Sequence, residues 1–215
     1  DDLVGKRIHD LIHHTHPDGR PYPVEECAVR KATLAGLPAH SKDEVHWRAD
    51  GSSFPVEYWS HPMYKDGELV GSVVAFIDIS EQKKTEALLH HLAYFDTLTG
   101  LPNRALFNDR LHHALADARR HKRFVALMLL DLDHFKVIND TMGHETGDRL
   151  LHEIGARLQQ SVREGDTVSR LGGDEFALVF PDIVEIKHVV QLAQNVLAQF
   201  AAPVLIDGRE IFSEA

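Results

Sequence analysis

The strongest constraint on the fold is the segment SRLGGDEFALVF, residues 169–180, where two glycines and two acids interrupt a run of strand-forming residues. Glycine weakens a strand interior and acids are depleted there, so one continuous strand is disfavoured. A two-residue loop of Gly172 and Gly173 would permit the positive φ angles of a tight hairpin. The segment therefore predicts two antiparallel strands, with Asp174 and Glu175 at the start of the return strand.

The elements around this hairpin follow the order strand, helix, strand, strand, helix, strand, which is the ferredoxin-like pattern. The apolar run Val125–Leu130 predicts a strand that is buried on both faces. Helices are predicted over 147–162 and 183–200, and the last residues, VLIDGREIFSEA, predict a hairpin. The inward side of the second helix is assigned to Ile183, Ile186, Val190, Leu197 and Phe200. The fold class is α/β (α+β), with a central sheet flanked by helices.

The first part of the chain has a different pattern. Residues 42–79 alternate strand-like runs with two Asp-Gly pairs, which predicts a three-stranded antiparallel meander. Residues 80–95 predict a connector helix, with Leu88, Leu92 and Phe95 along one stripe. This helix either pairs with a second copy of the chain or packs on its own domain.

Composition excludes several classes of protein. The formal net charge of −10 argues against a nucleic-acid-binding surface, which is usually basic. The single cysteine, Cys27, rules out an internal disulfide and favours a reducing compartment. No apolar run approaches the ~20 residues of a membrane helix. We expect a cytoplasmic location, with any tether to the inner membrane supplied by segments outside this chain.

Asp131 and Asp133 stand at the end of the apolar strand. If that strand lies beside the hairpin, Asp131 and Asp174 converge, and their mutual repulsion raises their pKa values. A divalent cation relieves such repulsion, and all-oxygen ligands suit Mg²⁺, which in turn points to a phosphate-bearing substrate. The alternative is that these acids are solvated loop residues or helix caps.

Three motifs in order carry a family resemblance: DTLTGLPNR (96–104), DLDHFKVINDTMGHETGD (131–148) and RLGGDEF. Together they resemble the GGDEF family, the diguanylate cyclases, from about residue 94 onward. The resemblance implies a palm-type fold and condensation of two GTP into cyclic di-GMP with release of two pyrophosphates. It also implies two Mg²⁺ ions per active site, with Mn²⁺ as a substitute, and an active homodimer that holds one GTP in each subunit.

The resemblance assigns the catalytic and metal-binding positions. Asp131, the backbone carbonyl of Leu132 and Asp174 match the metal ligands. Glu175 matches an acid required for activity, which binds metal or helps to activate the 3′-hydroxyl. Lys136 completes the catalytic set, in the segment that contacts phosphate.

The same resemblance assigns GTP-binding positions. Asn139 and Asp148 match the residues that recognise the guanine edge, and His144 lies in the same stretch. The backbone around His134 and Phe135 matches the phosphate-contacting segment.

A further motif, REGD, carries Arg163 and Asp166 at the spacing of the family's R-x-x-D inhibitory site. The resemblance implies feedback by bound cyclic di-GMP, because arginine can contact phosphate or guanine in a bidentate manner. The alternative is an ordinary ion pair within a loop.

The meander, with HWRADGSSFPVEY and GELVGSVVAFIDISEQKK, resembles the C-terminal portion of a PAS sensor domain, but no cofactor residue can be carried over. His9 and His13 have a spacing compatible with a metal on one helix face, beside His14 and His16. No acid or cysteine pattern completes a Zn²⁺ set, so we expect surface and capping histidines.

The predicted organisation is a partial PAS domain (1–79), a helical signalling linker (80–95) and a C-terminally incomplete cyclase domain (96–215). The predicted function is a PAS-regulated diguanylate cyclase, although the 215-residue piece alone need not turn over GTP. The alternative is a non-catalytic module that binds GTP or cyclic di-GMP. A purely structural dimerisation piece would explain none of the acidic motifs.

Overall fold

The computed structural model describes residues 4–215 and contains two compact units, one ending at Leu88 and one beginning at Leu89. The first unit holds a three-stranded antiparallel sheet in the order β1-β2-β3, which confirms the predicted meander. Its elements are α1 (Ile8–Ile12), α2 (Ala28–Leu34), β1 (Ala39–Trp47), β2 (Ser53–Lys65) and β3 (Glu68–Asp78). Within the described residues, no helix has both the length and the apolar character needed to cross a bilayer.

The connector is a helix, as predicted: α3 covers Ser80–Tyr94. It begins where Oδ1 of Asp78 accepts a hydrogen bond from the backbone N–H of Ser80 at 2.9 Å, which satisfies one of the helix's free donors. Leu88 and Leu92 on its predicted apolar stripe are about half exposed.

The second unit is a mixed α/β structure whose sheet has the order β4-β6-β5, with antiparallel neighbours throughout. This is the relative order of the first three strands of a ferredoxin-like sheet, with helices flanking it. The last two strands pair with each other as the predicted hairpin. The elements are α4 (Arg104–His121), β4 (Phe124–Asp131), α5 (Phe135–Met142), α6 (His144–Gln160), β5 (Thr167–Gly172), β6 (Glu175–Ile183), α7 (Lys187–Leu197), a 3₁₀ turn (Ala198–Phe200), β7 (Val204–Ile206) and β8 (Arg209–Ile211).

The core of this unit lies between α6 and the sheet. The predicted apolar face of α6 is fully buried and belongs to the same cluster as Phe176, Leu178 and Phe180 of β6. Each such side chain contributes about 1.5–3 kcal/mol when removed from water. The face consists of Leu150, Leu151, Ile154 and Leu158. This packing fixes β6, and therefore the hairpin that it forms with β5.

Two predictions about burial are wrong. β4 is an edge strand among the described residues, and its Leu127 and Leu129 are exposed, so it is not buried on both faces. The side chains of a strand alternate between faces, and an unbroken apolar run hides that alternation.

The inward face assigned to the last helix is also wrong in part. Ile183 is buried but belongs to β6, and Ile186, Val190 and Leu197 are exposed. Phe200 is buried as predicted, together with Val196. The apolar residues of α7 lie on several sides of the helix, so their spacing alone does not show which side is buried.

Candidate active site

The hairpin loop consists of Gly173 and Asp174, one residue later than predicted. Gly172 is the last residue of β5 and pairs with Glu175, the first residue of β6. The φ angles of Gly172 (138°) and Gly173 (55°) lie in the region that favours glycine. The loop is held by Arg170, whose Nε and Nη2 donate to the Gly173 carbonyl at 3.0 and 2.7 Å. Asp174 therefore projects from the turn itself and not from a strand.

Three carboxylates come together at this end of the sheet. The β4–β6 register places Asp131 directly opposite Glu175, with Asp174 on the adjoining loop. The negative charge of Asp174 raises the pKa of Asp131 above its ordinary value, and burial and Glu175 add to the effect. The strand lies beside the hairpin, and the expected effect of Asp174 is seen on the pKa of Asp131.

An arginine that sequence reasoning did not single out lies within this acidic cluster. Nη2 of Arg104 is 3.2 Å from Oε2 of Glu175. Arg104 is the first residue of α4, where the side chain of Asn103 caps the helix by accepting from two backbone N–H groups. A cavity of about 270 Å³ is lined by Arg104, Asp131 and Glu175. Arg104 is the last residue of the motif DTLTGLPNR, so that motif already indicated the segment that contacts the acids.

A second ion pair links the same motif to the hairpin. Both carboxylate oxygens of Asp96 accept from Nη1 of Arg170, at 2.9 and 3.1 Å. Burial alone would raise the pKa of Asp96, but hydrogen bonds from Thr99 and Arg170 outweigh it and lower that pKa. Asp96 thus stays charged and holds Arg170, which in turn holds the loop through Gly173.

The loop after β4 carries Leu132, whose side chain is buried and whose carbonyl accepts from the backbone N–H of Phe135 at 3.3 Å. His134, the residue before α5, has a φ of 59° and lies in the left-handed region. The side chain of Phe135 is buried in the core, so only its backbone can face a ligand. Lys136 is exposed on the first turn of α5.

The expected guanine-binding residues lie on two helices that pack together, α5 and α6. Asn139 is on α5, and its Oδ1 is buried without a hydrogen-bond partner. That oxygen lies against Gly147 of α6, at a point where a Cβ would be only 1.9 Å away. His144 and Asp148, also on α6, are exposed.

The R-x-x-D motif forms an ion pair. Nε of Arg163 donates to Oδ1 of Asp166 at 2.9 Å, and Nη2 of Arg163 donates to the Pro181 carbonyl at 2.7 Å. The Asp166 carboxylate is buried while the Arg163 side chain is 60% exposed. Asp166 therefore orients the arginine, and the guanidinium is the part that solvent or a ligand can reach. A cavity of about 400 Å³ beside this loop is lined by Asp166 and Arg110, among others.

Comparison with known proteins identifies the family. The family profile described as "Diguanylate cyclase, GGDEF domain" matches residues 93–215, more than half of the chain. The chain therefore belongs to the GGDEF family. It is 44% identical over 126 residues to the diguanylate cyclase TpbB of Pseudomonas aeruginosa, a match that covers 58% of this chain and 29% of that protein. The chain thus corresponds to less than a third of the length of this relative.

Solved structures agree with this assignment. A sensory box/GGDEF family protein from Caulobacter crescentus matches with a TM-score of 0.55 and 40% identity, over 57% of this chain and 79% of that one. The coiled coil and GGDEF domain of DgcB from the same organism, solved in complex with c-di-GMP, matches with a TM-score of 0.55 and 27% identity. That match covers 62% of this chain and 70% of the DgcB chain.

Proposed function

We propose that this chain is the catalytic part of a diguanylate cyclase, which condenses two GTP into cyclic di-GMP and releases two pyrophosphates. The observation that carries the proposal is the convergence of Asp131, Asp174 and Glu175 at one end of the sheet. Family membership and the named cyclase TpbB support the same activity. A binding module without catalysis would not require three mutually repelling acids at this position.

The residues at this site fit a divalent cation. Asp131, Asp174, Glu175 and the Leu132 carbonyl offer only oxygen ligands, which suit Mg²⁺ and also Mn²⁺. The raised pKa of Asp131 reflects the repulsion among these acids, and a bound cation would relieve that repulsion. Two such ions would neutralise the triphosphate and stabilise charge on the attacking and leaving oxygens.

In each condensation the 3′-oxygen of one GTP bonds to the α-phosphorus of the other, and the bond to the β-phosphate oxygen breaks. The 3′-hydroxyl proton passes to a nearby acceptor, a role for which the exposed Glu175 carboxylate is the candidate. Arg104 contacts Glu175 at 3.2 Å and holds it at the site. Each chain supplies one GTP, so the reaction needs two chains facing each other as a homodimer.

The chain's own residues also bind the nucleotide. The unpartnered Oδ1 of Asn139 would accept a guanine N–H, and the Asp148 carboxylate would accept the remaining donors. His144 lies one turn from Asp148 on the same helix, where it can contact the nucleotide. Lys136 and the backbone at Phe135 would contact the phosphates at the start of α5.

Regulation is part of the same proposal. The first 79 residues would act as a PAS-type sensor, and α3 would act as the signalling linker. Arg163, oriented by Asp166, would bind cyclic di-GMP as a feedback inhibitor. The DgcB structure with bound c-di-GMP supports recognition of this product by the family.

The experiment is an assay of cyclic di-GMP formed from GTP and Mg²⁺ by the full-length protein. We expect Asp174→Asn and Glu175→Gln to lower turnover by at least about 100-fold, a loss typical of removing one group that stabilises a transition state. The matched control is Asp182→Asn, an exposed acid at the other end of β6. Turnover of either site variant at the control rate would contradict its assigned role. GTP binding without any product in the parent protein would favour the non-catalytic module.

A further inference from the structure

A second cluster of ligand-type side chains lies in the first unit, apart from the cyclase residues. His9, His13 and Cys27 each place one ligand atom within 4.8 Å of the others. All three residues are buried, with 9%, 6% and 4% of their surfaces exposed. The expectation of surface and capping histidines is therefore wrong for His9 and His13. The spacing of the histidines did not reveal the cluster, because its third member, Cys27, lies 14 residues after His13.

The hydrogen bonds of His9 define which of its nitrogens is free. Its Nε2 lies 2.8 Å from the backbone carbonyl oxygen of Tyr22, and a carbonyl only accepts. Nε2 therefore carries the hydrogen, and the lone pair of the neutral ring is on Nδ1. That Nδ1 is buried and has no hydrogen-bond partner, which costs about 1–3 kcal/mol unless a ligand satisfies it.

His13 also places its Nε2 on an acceptor, but its Nδ1 already has a partner. Its Nε2 contacts the Glu44 carboxylate, while its Nδ1 lies 3.6 Å from Sγ of Cys27. The hydroxyl of Tyr58 donates to the other oxygen of Glu44 at 3.0 Å and fixes that carboxylate. In each histidine, Nε2 thus contacts an acceptor. In metal sites, a contact of this kind at the second ring nitrogen orients the metal-bound imidazole.

We propose that Nδ1 of His9, Nδ1 of His13 and Sγ of Cys27 bind one Zn²⁺ ion. Two imidazoles and one thiolate form a three-ligand set that suits this borderline-soft cation, and they leave its fourth position to water or a small ligand. A cavity of about 240 Å³ lies beside His13 and is lined also by Tyr22 and Glu44. The bound ion would join α1 to the start of α2.

The test uses the purified full-length protein after removal of metal with a chelator. ZnCl₂ is titrated against a chromophoric competitor, and CoCl₂ is added in parallel as a spectroscopic probe. We expect one tight Zn²⁺ site per chain and a thiolate-to-cobalt charge-transfer band. Cys27 is the only cysteine among these 215 residues, and loss of the band in the Cys27→Ser variant assigns it to this site. Absence of the band in the parent protein would overturn the proposal without any variant.

Variants then test the individual ligands. We expect Cys27→Ser and His9→Ala to weaken Zn²⁺ binding by more than about 100-fold, and Cys27→Ser to abolish the cobalt band. The matched control is His61→Ala, an exposed histidine of β2 in the same unit, which should bind Zn²⁺ as the parent does. Glu44→Gln should weaken binding by about 10- to 100-fold while the band persists, because it disturbs only the positioning of His13. Folded ligand variants that bind Zn²⁺ like the parent would refute the site.

Discussion

The Gly147→Ala variant tests the proposed nucleotide site most sharply, because Gly147 leaves the space in which the Asn139 amide sits. An added Cβ would lie 1.9 Å from Oδ1 of Asn139 and 3.0 Å from its Cγ. Ordinary contacts begin at about 3.4 Å, so the variant requires this oxygen to move by about 1.5 Å, the difference between the two distances. A shift of this size removes a hydrogen bond that depends on the position of Oδ1.

The same substitution has opposing effects on stability. Alanine is more favourable than glycine in a helix interior by about 1 kcal/mol. Displacing the Asn139 side chain and Phe135, whose Cζ would be 3.1 Å from the new Cβ, costs about 1–3 kcal/mol. We therefore expect the free energy of unfolding to change by less than about 2 kcal/mol and the variant to fold.

Binding of the nucleotide should change much more clearly. Loss of a buried hydrogen-bond acceptor for guanine corresponds to about 1–3 kcal/mol, or roughly 5- to 150-fold weaker binding. Calorimetry with 3′-deoxy-GTP and Mg²⁺ measures this without turnover, since the analogue lacks the attacking hydroxyl. Gly155→Ala is the control: it makes the same change on the same helix, where the nearest atom is Cδ1 of Leu101 at 3.1 Å. Equal affinities in the two variants would refute the placement of guanine beside Asn139.

Two further predictions concern charge at the hairpin. Asp131→Asn should raise the melting temperature at about pH 8 but not well below pH 4. The pKa of Asp131 is raised in the folded state, chiefly by the charge of Asp174. The folded parent protein therefore loses stability as the pH rises through that pKa, and the asparagine variant does not. Thermal unfolding across this range measures the effect, and a pH-independent difference would contradict it. Arg170→Lys should lower the free energy of unfolding by about 1–3 kcal/mol, because a lysine cannot hold Asp96 and the Gly173 carbonyl at once. Urea unfolding tests this, and an unchanged midpoint would show that the two contacts are not needed together.

Local patterns predicted the element types well. The Asp-Gly pairs defined the meander of the first unit, and the spacing of Leu150, Leu151, Ile154 and Leu158 defined the buried face of α6. These features depend on neighbours in the chain, which is why the sequence alone reveals them. The helix α5 was not predicted, and α6 begins three residues before the predicted start, at His144.

Contacts between residues that are far apart in the sequence could not be predicted from local patterns. Nothing local indicates that Arg104 reaches Glu175, that Arg170 bridges Asp96 to the hairpin, or that Cys27 returns to His13. Each of these contacts joins segments separated by at least 14 residues. The converging acids were foreseen only because the apolar strand and the hairpin could be assumed to be neighbours.

The register between β4 and β6 has a consequence for how this unit tolerates changes in sequence. Asp131 pairs with Glu175, and the next pair, Leu130 with Phe176, is buried in the core. Side chains alternate between faces, so a slip of one residue would bring Leu130 into solvent and Asp131 into the core. Exposing Leu130 would cost about 1.5–3 kcal/mol. The acids are thus kept in alignment by buried apolar residues, and insertions near the hairpin should disrupt the acidic cluster through loss of folding.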